Sequence, residues 1–160
     1  MRALSILAVL FLATLAFTAS AASIKVGDVA PEINAKNWIN TENASIAAAG
    51  KNVVVVEFWA TWCGPCRASI PHLVEMNNKF KDKGVTIVGL TNEPLAAVKN
   101  FATEMKMSYF VGTGSTTGRD YGVSSIPTAF VISGGKVVWT GHPMGGLDKA
   151  IEEALKNKAS

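Results

Sequence analysis

A run of four valines leads through Glu57-Phe58-Trp59-Ala60-Thr61-Trp62 into Cys63-Gly64-Pro65-Cys66-Arg67, and nothing else in the chain restricts its folding as tightly. Val53 to Trp59 has the β-branched and aromatic content of a strand covered on both faces. Gly64-Pro65 cannot continue a strand. A proline in the first helical turn wastes no hydrogen bond, so the chain is expected to turn and re-emerge as a helix. Cys63 then stands where unpaired amide N–H groups and the positive end of the helix dipole favour an anion. The thiolate is the nucleophile of disulfide exchange, so this placement activates Cys63. Cys66, at the next turn, is close enough to attack a mixed disulfide formed at Cys63. The pair reads as a two-thiol redox centre.

Other uses of two cysteines fit less well. A zinc site wants four ligands, and the chain offers Cys63, Cys66, His72 and His142, with Cys66 and His72 awkwardly spaced on a helix. No metal is expected. Covalent haem attachment needs a histidine directly after the second cysteine, where Arg67 stands. A purely structural disulfide remains as an alternative, although so short a loop restrains the unfolded chain little.

The segment from Phe58 to Arg67 closely resembles the active-site segment of the thioredoxin superfamily, and other features point to its exported TlpA-like or ResA-like branch. Gly27-Asp28-Val29-Ala30-Pro31-Glu32-Ile33 resembles the opening motif of redoxins, with Ile33 in place of an aromatic residue. Tyr121-Gly122-Val123-Ser124-Ser125-Ile126-Pro127-Thr128 resembles the segment that carries the family's cis-proline loop. The resemblance spans roughly residues 24 to 156. It implies an α/β thioredoxin-like fold: a central mixed β-sheet flanked by helices on both faces, with an N-terminal hairpin and a central strand-helix insertion. It also implies that Pro127 is cis and lies beside Cys63, that Ile126 offers its backbone to an extended substrate, and that Trp62, Gly64 and Pro65 border the substrate groove.

The 160 residues, 49% of them hydrophobic, suffice for one domain with a proper core. A net charge of +3, with both signs interspersed, does not suggest nucleic acid. Residues 1–21 read as a signal peptide: Arg2, an apolar run to Ala19, then Ala19-Ser20-Ala21 before a cleavage point. An uncleaved membrane anchor is the alternative. Residues 22–160 form the domain. Ile33 to Trp38 is expected to be one strand of the N-terminal hairpin, with Asn40 to Asn43 as its turn, and Ser45 to Ala49 a short helix ended by Gly50. A helix follows from Cys63 to Asp82, kinked at Pro71. Strands are expected at Val85 to Thr91 and Tyr109 to Val111, with a helix between them from Asn92 to about Met107. Glu93 is assigned only to the dipole of that helix. Gly112 to Gly118 reads as a flexible loop. A hairpin turning at Gly134-Gly135 and a final amphipathic helix complete the chain.

Glu57 is the residue that strains the pattern, because a charge inside a valine-rich strand is costly unless paired or neutral. Its position matches the buried aspartate of thioredoxin, which by resemblance makes it the proton carrier for Cys66. TlpA-like proteins more often keep a neutral residue there and place a glutamate three residues after the second cysteine, where this chain has Ser69. A glutamate escaping to solvent at a sheet edge is the bland alternative.

The expected function is thiol-disulfide exchange on exported, disulfide-containing protein substrates, in the reducing direction and in the periplasm. Cys63, Cys66 and Glu57 would be catalytic, and the Cys63–Cys66 disulfide would take the place of a cofactor. A membrane thiol-electron transporter of the DsbD/CcdA kind would supply electrons, and a monomer is expected. Two alternatives stay open. A thiol peroxidase shares the fold, but its family needs Thr where this chain has Ala60. A non-enzymatic thiol-binding chaperone would not need Cys63 at all.

Overall fold

The computed structural model describes residues 23–158; the expected signal peptide or anchor at 1–21 lies outside them. Val53 to Phe58 is a strand, β2, in which every residue is buried, and it forms the centre of a six-stranded sheet. On one side β2 pairs in parallel with β3 (Val85–Leu90), and on the other it pairs antiparallel with β5 (Thr128–Ser133). β4 (Phe110–Thr113) runs parallel to β3, and β1 (Asn37–Ile39) closes that edge antiparallel to β4. β6 (Lys136–Gly141) forms the opposite edge. The order is β1-β4-β3-β2-β5-β6, a mixed sheet.

Alternation along β2 divides the core. Val53 and Val55 face a layer built from α2 (Gly64–Phe80), α3 (Leu95–Glu104) and α5 (Leu147–Lys158). Val54, Val56 and Phe58 face the other layer, covered by the N-terminal segment and by two one-turn helices, α1 (Ile46–Ala49) and α4 (Thr117–Asp120). Helices thus lie on both faces, with the three long ones on the side that carries Cys66, Ile70 and Leu73. Helix α2 runs continuously through Pro71, and Gly84 ends the following turn with a left-handed conformation. The β5–β6 hairpin turns at Gly134-Gly135, both at positive φ, as a two-residue primed turn requires.

The N-terminal hairpin is not formed. The chain first bridges the β6 edge, where Val29 faces Lys136, and then crosses to the far edge, where β1 finds β4 as its partner. Only Asn37–Ile39 is strand; the preceding residues dock on the end of β4 instead, Lys36 N donating to Thr113 O and Asn34 N to Thr117 Oγ1. After Asn40, at positive φ, the chain enters α1 rather than a second strand. The reason is local: Glu32 accepts from Ile46 N, Ala47 N and Ser45 Oγ, so its carboxylate caps the helix N-terminus and removes those amides from any strand pairing.

Gly112 to Gly118 is likewise more ordered than its composition suggests. Gly112 and Thr113 belong to β4, Thr117 opens α4, and the loop shrinks to Gly114–Thr116. A Cβ at Gly112 would lie 2.6 Å from Leu90 Cδ2 and 2.8 Å from Ala35 Cβ, so glycine serves close packing at this point.

Candidate active site

At the end of β2 the chain turns through Ala60–Trp62, and Cys63 caps α2. Cys63 and Cys66 are joined as a disulfide, with Cα atoms 5.2 Å apart. Cys66 N donates to Cys63 Sγ at 3.2 Å, so the helix amide aimed at the sulfur would also meet a thiolate there. Cys66 is wholly buried and Cys63 slightly exposed (0% against 5%), which makes Cys63 the sulfur an incoming group reaches first. Gly64 and Pro65 are exposed on the rim. Trp62 is 74% exposed, an unusual position for an indole and one suited to contact with a partner.

The Ile126–Pro127 bond is cis, and the Ile126 carbonyl oxygen lies 3.8 Å from Cys63 Sγ. Pro127 is buried and Ile126 half-buried. Trp62 and Ile126 also line a cavity of about 450 Å³ beside the cysteines, with Phe58 in its wall and Lys36 and Arg119 among its lining residues. The residues singled out in the sequence from two distant stretches therefore meet around one sulfur. His142 lies in the exposed loop after β6, its Nδ1 accepting from Met144 N. Among the described residues, no three His, Cys, Asp or Glu side chains gather as a metal-binding group.

Glu57 lies inside the sheet, wholly buried, not at an edge. It sits between Gly89 of β3 and Ala129 of β5, and the alternation with Val53 and Val55 turns it toward the layer that holds Cys66. Neither carboxyl oxygen has a hydrogen-bond partner in the protein. Burial pushes the carboxyl up from 4.5 to about 8, so it can both hold and release a proton near neutral pH.

Glu93 does far more than offset a helix dipole. Thr61 N and Thr61 Oγ1 each donate to its carboxylate at 2.7 Å, and Thr91 Oγ1 donates at 3.2 Å. Its own backbone carbonyl accepts from Gly114 N. Glu93 therefore ties the turn before Cys63 to the β3–α3 loop. The one sequence signal for it was position: Thr61 and Glu93 follow the carboxyl ends of two adjacent parallel strands, where functional loops of α/β sheets converge. Farther along α2, Arg67 stands over the Phe101 ring, which stacks on Trp59 with centroids 5.6 Å apart.

The AhpC/TSA family matches residues 26–140. The chain belongs to that family. It is 40% identical over 89 residues to thiol-disulfide oxidoreductase ResA of Bacillus thuringiensis, a match covering 53% of this chain and 51% of the relative. The chain thus spans about half the length of these curated relatives. ResA of Geobacillus thermodenitrificans is 29% identical over 143 residues, covering 83% of this chain and 82% of that one. Among solved structures, a Chlorobium tepidum candidate thiol:disulfide interchange protein DsbE superposes with a TM-score of 0.73 at 30% identity, covering 83% of this chain and 99% of that one. A second thiol:disulfide interchange protein from Chlorobium tepidum TLS gives 0.68 at 26%, covering 84% and 99%. These neighbours make the fold thioredoxin-like.

Proposed function

We propose that this protein is a thiol-disulfide oxidoreductase that reduces disulfides of exported proteins. One observation carries the reading: a disulfide heads α2, with its outer sulfur beside the Ile126 carbonyl and the exposed Trp62. In the reduced protein, the Cys63 thiolate attacks one sulfur of a substrate disulfide, forms a mixed disulfide and releases the other substrate sulfur as a thiolate. Cys66 then loses its proton to Glu57 and attacks Cys63 Sγ. The second substrate thiolate departs, and the Cys63–Cys66 disulfide carries away the two-electron oxidation. Ile126 and Pro127 offer an extended edge to the substrate chain, and Trp62, Gly64 and Pro65 form the rim.

The apolar run at the N-terminus supports export, and there a dithiol needs a supply of electrons. A membrane thiol-electron transporter of the DsbD/CcdA kind is the donor that fits. The Gly64-Pro65 dipeptide matches that of thioredoxin, so the potential is expected nearer its roughly −270 mV than the roughly −120 mV of DsbA. Equilibration with glutathione measures this, and a value above about −180 mV would reverse the assigned direction. Cys66→Ser in the exporting cell should trap substrates as mixed disulfides on Cys63, and the Cys63→Ser protein should trap none.

Membership of the AhpC/TSA family keeps a thiol peroxidase as the second reading. Ala60 stands where peroxidases need a threonine hydroxyl. Peroxide consumption by the reduced protein, dependent on Cys63 and outpacing its exchange with disulfides, would favour that reading.

A further inference from the structure

The cavity of about 450 Å³ beside the cysteines carries charges that the thiol chemistry does not use. Its inner wall is apolar: Phe58 and Leu90 are buried, and Val123 and Ile126 are half-buried. Its exposed lining residues are Trp62, Asn92, Thr116, Lys36 and Arg119, so two cations stand at the mouth and no acid lines it. Among the described residues, the ion pairs join Lys79 to Glu152 and Lys149 to Glu153, and neither Lys36 nor Arg119 has a carboxylate partner there. Glu93 turns its carboxylate to Thr61 and Thr91 instead. Asp120, next to Arg119, is not part of the lining.

We propose that this cavity is a recognition subsite for an acidic side chain of the substrate protein, held by Lys36 and Arg119 while a neighbouring apolar side chain enters the cavity and the substrate cysteine reaches Cys63. The occupant rests on the thiol-exchange function proposed above. Position supports it first. Trp62 precedes Cys63 and the Ile126 carbonyl lies 3.8 Å from Cys63 Sγ, so a chain laid along Ile126 passes the cavity. Size agrees, since about 450 Å³ falls within the roughly 300–1,000 Å³ of clefts that hold ligands. Charge then selects among chains that could dock. Two cations with no carboxylate of their own are complemented by an anion and repel a basic chain. A carboxylate suits both, because arginine offers it a planar fork and lysine a point charge.

Both cations stand on a fixed framework. The path of the N-terminal segment to β4 is what brings Lys36 to the cavity, with Lys36 N donating to Thr113 O. Its aliphatic stem runs along Gly114, where a Cβ would stand 3.0 Å from Lys36 Cδ. Gly114 N donates to Glu93 O, Ser115 N to Thr91 O and Thr116 N to Asn34 Oδ1, so this wall is tied to both neighbouring segments. Arg119 N donates in turn to Thr116 O. A framework ordered before binding costs little further ordering when a partner arrives.

Short peptides capped at both ends test the subsite. Each carries a phenylalanine and a serine in place of the substrate cysteine, with Glu, Gln or Lys at each flanking position in turn. Amide chemical-shift titration of the oxidised protein reads their affinities without any thiol exchange. The best Glu peptide should bind about tenfold tighter than its Gln counterpart, with Lys weakest, and the spread should shrink in about 1 M salt. Lys36→Gln and Arg119→Gln should each lower the Glu-to-Gln ratio about threefold. Both residues are exposed, so the fold should tolerate these changes. Lys36→Glu combined with Arg119→Glu should invert the preference in favour of Lys peptides. Absence of binding, equal binding of the three kinds, or a Glu preference that survives the double reversal overturns the proposal. A Gln peptide with a free C-terminal carboxylate that binds as tightly as the capped Glu peptide would assign the cavity to chain ends, and overturns it too. Disulfide-linked dimers of the cysteine peptides test the exchange reading separately. If the reduced protein fails to reduce them while the Glu preference holds, the proposed function falls and the acidic subsite stands.

Discussion

Two glutamates flank the turn that delivers Cys63, and their surroundings are opposite. Glu57, beneath the turn in β2, is sealed in the sheet with no protein partner. Glu93, beside the turn in the β3–α3 loop, receives three hydrogen bonds, two from Thr61 and one from Thr91. The side chains are chemically identical, so the difference lies in the donors that the tertiary structure brings to each. An unpartnered carboxyl in a buried interior is driven toward its protonated form and becomes a group that can exchange a proton. A carboxylate surrounded by donors is a fixed acceptor, which orders the backbone that donates to it. One neighbourhood thus supplies a proton carrier and the other a clamp.

The contrast is broken most severely by pH. Glu57 keeps its proton to about pH 8 when folded, against an ordinary value of 4.5. Between those values the folded chain binds more protons than the unfolded one, so this group makes stability fall as pH rises through the window and level off above it. At about 1.4 kcal/mol per pH unit, the loss amounts to roughly 5 kcal/mol. Glu57→Gln should remove that slope, matching wild type near pH 4.5 and exceeding it at pH 8 and above. Urea melts at a series of pH values check this, and a slope retained in the variant would show that Glu57 is not its source.

The same substitution should act on kinetics. Glu57→Gln is expected to leave formation of the mixed disulfide unchanged and to slow its resolution by Cys66 about 100-fold. Stopped-flow measurement of the two steps separates them; equal rates of resolution would mean that the proton leaves directly to water.

On the clamp side, Glu93→Ala should cost about 2 kcal/mol, because Thr61 N–H and its hydroxyl lose a charged acceptor in a half-buried place. It should loosen the turn before Cys63 without altering the pH slope assigned to Glu57. Denaturation at fixed pH and hydrogen exchange at Thr61 report the two effects. A pH slope that changed with Glu93 would mean the two carboxyls act as one unit.

The smallest effect belongs to Thr91→Val, which preserves shape but removes the hydroxyl that donates to the Glu93 carboxylate at 3.2 Å and accepts from Glu93 N at 3.3 Å. About 1 kcal/mol is expected, and the Thr61 amide should remain protected. If Thr91→Val cost as much as Glu93→Ala, the third hydrogen bond, not the pair from Thr61, would hold the clamp.

Much of this protein was determined locally along the chain. The valine run could be nothing but an interior strand, Gly64-Pro65 obliged the chain to begin a helix at the cysteines, and Gly134-Gly135 set a hairpin turn. Each depends on backbone preferences and on burial patterns that nearby residues decide for themselves. The burial of Glu57 was legible for the same reason, since a strand covered on both faces leaves no exposed side. What pairs over long distances was not. β1 looked like half of a hairpin, yet its partner is β4, some seventy residues later, because Glu32 had already committed the following amides to α1. Glu93 looked like a helix-end charge until β2 and β3, lying parallel, carried Thr61 to it. The grouping of Trp59 and Tyr109 about Gly89 likewise exists only once β2, β3 and the approach to β4 lie side by side. Hydrogen bonds of this kind have a range of about 3 Å and no sequence period, so the register of the assembled sheet, not the order of residues, decides which donors meet which acceptors.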